Sequence, residues 1–479
     1  MNHKFLVFAL LIPFASGCQN NDNYVELTYP SYIYHHDNYK ERFYFDDSYF
    51  SHSSYEYDSN LARLSLGLCL TTVETNTNQN EQEAIPSEFQ VKKFYKKMGF
   101  EDVTFSDDYF LPTTKNTIGY ALAHKKIGEK EVVSVVVRSF KYGQEMANNF
   151  LLGEEGHHQG YHENAYKIRE GLGEYLRKNA LNDSYFKLWV TGFARGGSIT
   201  NNLGYIIDEE IASPESELNL LEEDAYFYTM QANPSIDASI TSKNLNVHNV
   251  FNSKDIILLA PPEQYGLKRC GVDHDLYRED CISLIRKFDP TLPFEDFCSK
   301  ELVIEKTVDY VDAKDPYYDI SIFYSHICDV LFTKHEDYEF SMATREEYVE
   351  DVQSAALYGF DMFYSLSEEQ LDGAEDYLTE HFSPSQAVYL MFNKEDTLYE
   401  MLYPALDYVH CDYNKEELKK HCRTAQLLLY MVYLYDDTPL DDVATGFGNR
   451  RYIEAMHTPE MLSVLLSAEI NNTPVEERK

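Results

Sequence analysis

Apolar residues recur along this chain with two periods, and the changes of period mark its elements. Phe186, Leu188 and Val190 alternate with their neighbours over 185–190, which is the two-residue period of a strand. Ile199, Leu203, Ile206 and Ile207 follow at i, i+4, i+7 and i+8, the stripe of an amphipathic helix. Ala165, Ile168, Leu172 and Leu176 form a second such stripe. Residues 132–137 are a valine run broken only by Ser134, the pattern of a parallel strand buried on both faces. Residues 225–230 and 247–251 predict two further strands. Strand and helix alternate throughout this region, which predicts a mostly parallel sheet covered by helices on both faces. Upstream, the aromatic-rich stretches 25–34 and 42–50 predict edge strands, 61–68 a buried helix, 71–84 a polar loop and 89–98 an amphipathic helix. Between 281 and 435 the pattern becomes acidic, Tyr-rich and helical, which predicts a helical insertion over the sheet.

The join between the 185–190 strand and the helix after it reads Gly192-Phe193-Ala194-Arg195-Gly196-Gly197. It resembles the Gly-x-Ser-x-Gly corner on which serine hydrolases present their nucleophile, with Ala194 at the centre instead of serine. The plain alternative is a Gly-rich loop feeding any helix of an α/β sheet. Ser198 lies one helical turn further on and is expected to point into packing.

Composition narrows the classes of function. The 479 residues are 44% hydrophobic, with 40 Tyr, 28 Phe and one Trp, enough for a large core. Against 41 Lys and Arg stand 80 Asp and Glu, a net charge of -39 that disfavours nucleic acid as a partner. Lys4 followed by the short apolar run 5–15 has the form of a signal peptide, residues 1–17, too short to span a bilayer as a stable helix. Ala15-Ser16-Gly17-Cys18 resembles a lipobox, which implies lipid on Cys18 and an exported protein held at a bacterial membrane surface. An ordinary signal peptide, leaving a secreted protein with a free Cys18, is the alternative. Cys270/Cys281 and Cys411/Cys422 share one spacing and are candidate disulfides. The repeated pairs His410-Cys411 and His421-Cys422 match no zinc-finger spacing. No metal and no cofactor is expected.

Several stretches, in order, carry a resemblance to the fungal-type (class 3) lipase family in its bacterial, secreted lipoprotein version. Val137-Arg138-Ser139-Phe140-Lys141-Tyr142-Gly143 resembles the family's strand ending in Arg-Gly, with Ser139 in the place of that glycine. Gly156-His157-His158-Gln159-Gly160-Tyr161 resembles its His-x-Gly-aromatic lead into the next helix. Trp189 to Gly197 resembles its elbow, with Phe193 where the family has His. Asn252-Ser253-Lys254-Asp255, followed by Pro261-Pro262, resembles the segment of the acid, and His457-Thr458-Pro459 that of the histidine. The resemblance covers 61–280 and 436–479, leaving 18–60 as tether and opening strands and 281–435 as insertion.

It implies an α/β-hydrolase-type fold and a triad at Ala194, Asp255 and His457, with Gly192, Gly196 and Gly197 closing the elbow. The implied oxyanion hole uses the backbone N–H groups of Phe140 and Arg195. Without a hydroxyl at Ala194, the resemblance implies a catalytically silent protein that binds an apolar or ester-like ligand, such as a lipid. Two alternatives stand beside it. One is a weak esterase using water or another nucleophile. The other is a surface protein that meets an unidentified protein partner through its acidic insertion.

Overall fold

A computed structural model of the chain describes residues 23–30, 38–75, 84–110, 113–140, 143–277, 342–383, 396–434 and 456–472. The signal peptide, Cys18 and Cys281 lie outside the described residues. Eleven strands occur among them: β1 Tyr24–Pro30, β2 Asn38–Tyr44, β3 Glu101–Phe105, β4 Tyr120–Ile127, β5 Lys130–Val137, β6 Phe186–Phe193, β7 Ala225–Met230, β8 Ile236–Asp237, β9 Val247–Phe251, β10 Leu267–Lys268 and β11 Val272–Asp275. Seven build one sheet in the order β11-β9-β7-β6-β5-β4-β3. From β5 to β11 every pairing is parallel, and β3-β4-β5 is an antiparallel meander at one edge. β8 and β10 form a separate short pair.

The helices that cover the sheet explain why its strands are apolar on both faces. Helix α1 is Ser59–Leu70, α2 Ser87–Lys97, α3 Gln159–Lys178 and α4 Arg195–Ile211. Phe186, Leu188 and Val190 of β6 face Ile168, Leu172, Ile199 and Leu203 of α3 and α4 in one core. Trp189 and Phe193 face the opposite core, with α1, α2 and a C-terminal helix. Trp189 is fully buried, and its indole N–H donates to Ser65 Oγ at 2.9 Å. A mostly parallel sheet with helices on both faces and a Gly corner after its central strand is an α/β-hydrolase-type fold.

Three expectations from the sequence need correction. Strands β1 and β2 are not edge strands of the sheet. They pair with each other, from Tyr24↔Tyr44 to Pro30↔Asn38, as a hairpin whose Val25, Leu27, Tyr29 and Phe43 enter the core. The second stretch ends early because Asp46 caps a 3-10 turn at Asp47–Phe50, its carboxylate accepting from Ser48 N–H at 2.8 Å. The 132–137 run is parallel to β6 only, and its other neighbour, β4, is antiparallel. Third, Cys411 and Cys422 are free thiols, although both pack in the cluster around Leu406 and Leu418. The Cys411 thiol turns to its own chain, toward Asp412 O at 3.7 Å, while Cys422 is buried among the apolar side chains. Cys270 is also free and buried, with its thiol on Asn201 O at 3.4 Å.

The described part of 281–435 is helical: α5 Ser354–Ser365, α6 Glu368–His381, α7 Thr397–Tyr408 and α8 Lys415–Leu434. It docks on the core just before α5. Arg345 donates to the backbone carbonyls of Leu152, Gly153, Glu155, Gly156 and His157 at 2.7–3.2 Å. The last helix, α9 Pro459–Asn472, returns to the core beside α1. No helix of the described residues is long and apolar enough to cross a membrane.

Candidate functional site

The site lies at the C-terminal ends of β6, β7 and β9, where an open parallel sheet leaves its strand ends accessible. Strand β6 ends at Phe193 and α4 begins at Arg195, so the whole turn falls on Ala194. Ala194 has φ 49° and ψ −115°, a conformation that L residues rarely adopt. Its N–H donates to Met230 O on β7 at 2.8 Å. The flanking glycines are required by close approach. A Cβ on Gly192 would lie 2.2 Å from Gly196 O, and one on Gly197 would lie 2.6 Å from Met230 O. A Cβ on Gly196 would meet the Ser139 hydroxyl at 2.8 Å. The corner therefore has the geometry of a nucleophile elbow and carries a methyl group.

Asp255 and His457 are brought together from positions 202 residues apart. Asp255 follows β9, is fully buried and caps a 3-10 turn by accepting from Ile257 N–H at 3.0 Å. His457 Nδ1 donates to the other carboxylate oxygen at 2.5 Å. This bond fixes the ring's tautomer and leaves the lone pair on Nε2. The His457 side chain is 22% exposed. Burial lowers its pKa, but the charge and hydrogen bond of Asp255 raise it more, so the imidazole sits above its ordinary value. The His457 ring lies 5.6 Å from that of Phe193, the residue before Ala194. Phe193 in turn stacks on Phe140 at 5.1 Å.

Two residues that the sequence did not single out as functional hold the histidine in place. Gln231 donates from its amide to Met456 O at 3.2 Å and accepts from Asn252 N–H at 3.0 Å. Asn252 reaches Met456 Sδ at 3.3 Å. The strand end after β7, the loop after β9 that carries Asp255 and the residue before His457 are thus one polar brace. Its only sequence signal was a polar residue at each strand end.

At the end of β5, Ser139 does not adopt the backbone conformation that would call for a glycine. It is not among the described residues with positive φ. Its hydroxyl donates to Val137 O at 2.8 Å and accepts from Phe193 N–H at 2.9 Å, joining the ends of β5 and β6. Beneath it, Glu145 is fully buried between Arg138 and Arg195, with Arg195 Nη1 at 3.2 Å. The Arg195 side chain therefore turns into the core, and only its backbone belongs to the corner. Ser198 is buried, and its hydroxyl accepts from Asn233 N–H at 2.8 Å. It supports the turn and is no substitute nucleophile.

No protein-family model matches the chain, and no curated protein matches it in sequence. Among solved structures it is similar in part to a fungal lipase determined as an inhibitor complex, at 11% identity over 45% of this chain and 78% of that one, with a TM-score of 0.32. It is also similar to the lipase of Rhizopus microsporus var. chinensis, at 13% identity over 38% and 63%, with a TM-score of 0.28. The triacylglyceride lipase of Rhizomucor miehei is similar at 16% identity over 38% and 69%, with a TM-score of 0.27. These overlaps are partial, and the fold assignment rests on the sheet and its corner.

Proposed function

We propose that this chain is a catalytically silent relative of serine ester hydrolases, retained for binding an apolar or ester-like ligand at the former active site. One observation carries the reading: an elbow-shaped corner at Ala194 coexists with a paired, braced Asp255–His457 dyad. In a working triad the imidazole takes the serine proton and the carboxylate stabilises the resulting cation. Here the acid and base stand ready and the nucleophile is absent. Export and lipid attachment at Cys18 belong to the same proposal and would place the ligand site at a membrane surface.

Restoring the missing atom tests the proposal. Ala194→Ser should bring hydrolysis of short-chain p-nitrophenyl esters up by at least ~10²-fold, a small part of the ~10⁶ that a complete triad is worth. Adding His457→Ala should abolish the gain. The wild-type chain should give no adduct with a fluorophosphonate, because Ala194 offers no oxygen. A stoichiometric adduct on any serine of the wild type would favour a weak esterase instead. The intact dyad is the feature that keeps this second reading worth testing, since it could activate a water. A folded Ala194→Ser protein with neither hydrolysis nor labelling would remove the active-site part of the proposal.

A further inference from the structure

Away from the dyad, a cleft of about 520 Å³ opens where the Gly153–Glu163 stretch meets the insertion at Val349 and Gln353. It shares no lining residue with the corner. His157 and His162 line it with their rings stacked, centroids 4.2 Å apart and 24° between planes. The hydrogen bonds around them assign each ring a different polarity. Asn202 Nδ2 donates to Ser198 O at 2.9 Å and to Ser235 Oγ at 2.8 Å, which uses both its hydrogens. Its oxygen must therefore accept from His162 Nδ1, at 3.1 Å, so Nε2 of His162 carries a lone pair. His157 Nδ1 accepts from Asp237 N–H at 3.1 Å, so Nε2 of His157 carries the hydrogen. Among the described residues neither Nε2 has a protein partner, and neither is sealed from solvent.

The rest of the lining continues this pattern. Gln353 accepts from Leu152 N–H at 2.7 Å and Gly153 N–H at 3.2 Å through its oxygen, which leaves its NH₂ as a donor at the cleft. Glu154, Glu155 and Glu163 add carboxylate acceptors. Burial lowers the pKa of both imidazoles, that of His157 to about 4, so both rings are neutral near pH 7. A single imidazole lone pair beside an N–H is a poor metal site. No group of three or more His, Cys, Asp or Glu among the described residues could hold a metal ion.

We infer that this cleft binds a neutral polyhydroxyl ligand, a saccharide, through paired donors and acceptors on His157, His162 and Gln353. A hydroxyl group both donates and accepts, so the hydroxyls of one ligand can match both the N–H and the lone pair. The glutamates accept from further hydroxyls and repel anionic ligands.

The test uses the purified full chain in a sugar-free detergent, titrated with D-glucose, D-galactose and D-mannose. Calorimetry and the imidazole C–H resonances of His157 and His162 are the readouts. At least one sugar should bind saturably and shift both imidazoles. Gln353→Glu keeps the acceptor for Leu152 and Gly153 and loses the donor. It should weaken binding by about tenfold, the worth of roughly one hydrogen bond. His162→Phe keeps the ring and loses the lone pair, with a similar loss expected. If His162→Phe does not fold, Gln353→Glu carries the test. The inference is overturned if none of the three sugars binds saturably, if a folded variant binds as tightly as the parent, or if glucose 6-phosphate binds more tightly than glucose. None of these outcomes depends on esterase activity.

Discussion

Ala194 holds a backbone conformation that costs a non-glycine residue on the order of 1–3 kcal/mol. In a serine hydrolase that strain presents a hydroxyl; here it presents only a methyl. Ala194→Gly should therefore stabilise the fold by about 1 kcal/mol, the reverse of the usual helix-interior effect, seen as a higher midpoint in denaturant. The same neighbourhood has a pH signature. The folded pKa of His457 is raised, so its pairing contributes stability fully below the ordinary histidine pKa. That contribution is lost as pH rises through the folded value. In Asp255→Asn only burial would remain, and the shift should change sign. An NMR titration of the His457 ring should move from above the ordinary value to below it. An unchanged titration would mean that the Asp255 contact is not the cause.

At the scale of elements, one buried carboxylate joins three pieces of the chain. Glu41 on β2 is 1% exposed and accepts from Tyr29 of β1 at 2.9 Å, Arg63 of α1 at 3.1 Å and Ser463 of α9 at 2.6 Å. Removing one partner of a buried ion pair leaves the other charge uncompensated, at a cost of about 3–5 kcal/mol. Glu41→Ala should lower stability by that order in equilibrium unfolding and loosen α9, and with it His457. Nothing in the sequence pattern pointed to this joint, because each residue read as an ordinary polar position. What periodicity did reveal were the elements with one dominant period: β6, α3, α4 and the valine run of β5. It missed β3 and β4, whose Asp102, Lys125 and Lys126 break the alternation. At the site, the glycine spacing announced the corner because close backbone approach excludes any Cβ. Asp255 and His457 were visible only through family resemblance, since no local rule connects residues so far apart. The Gln231–Asn252 brace and the second bond of Ser139 exist only once the strand ends meet.

The whole molecule carries a net charge of -39, and a compact body of one sign repels itself. Raising salt from ~0.02 to ~0.15 M shortens the screening length to about 8 Å and should raise the melting temperature. No change would mean that charge pairing already offsets the excess. The proposed lipid anchor is tested at the same scale. Cys18→Ser should move the protein from the membrane fraction to the medium, and a variant that stays with the membranes is anchored elsewhere.

The hairpin acquires a mechanical meaning if the chain is held at its amino end. Load arriving at Tyr24 falls first on the Tyr24↔Tyr44 rung, then on Val25↔Phe43 and Glu26↔Arg42. The next rung is Leu27↔Glu41, where the joint to α1 and α9 begins. Pulling would have to lift Val25 and Leu27 out of the core and would then meet a stop at Tyr29, whose hydroxyl donates to the Glu41 carboxylate. Beyond that stop the force passes through Ser463 into the helix that follows His457. Tension on the tether and the geometry of the Asp255–His457 dyad would then share a single load path.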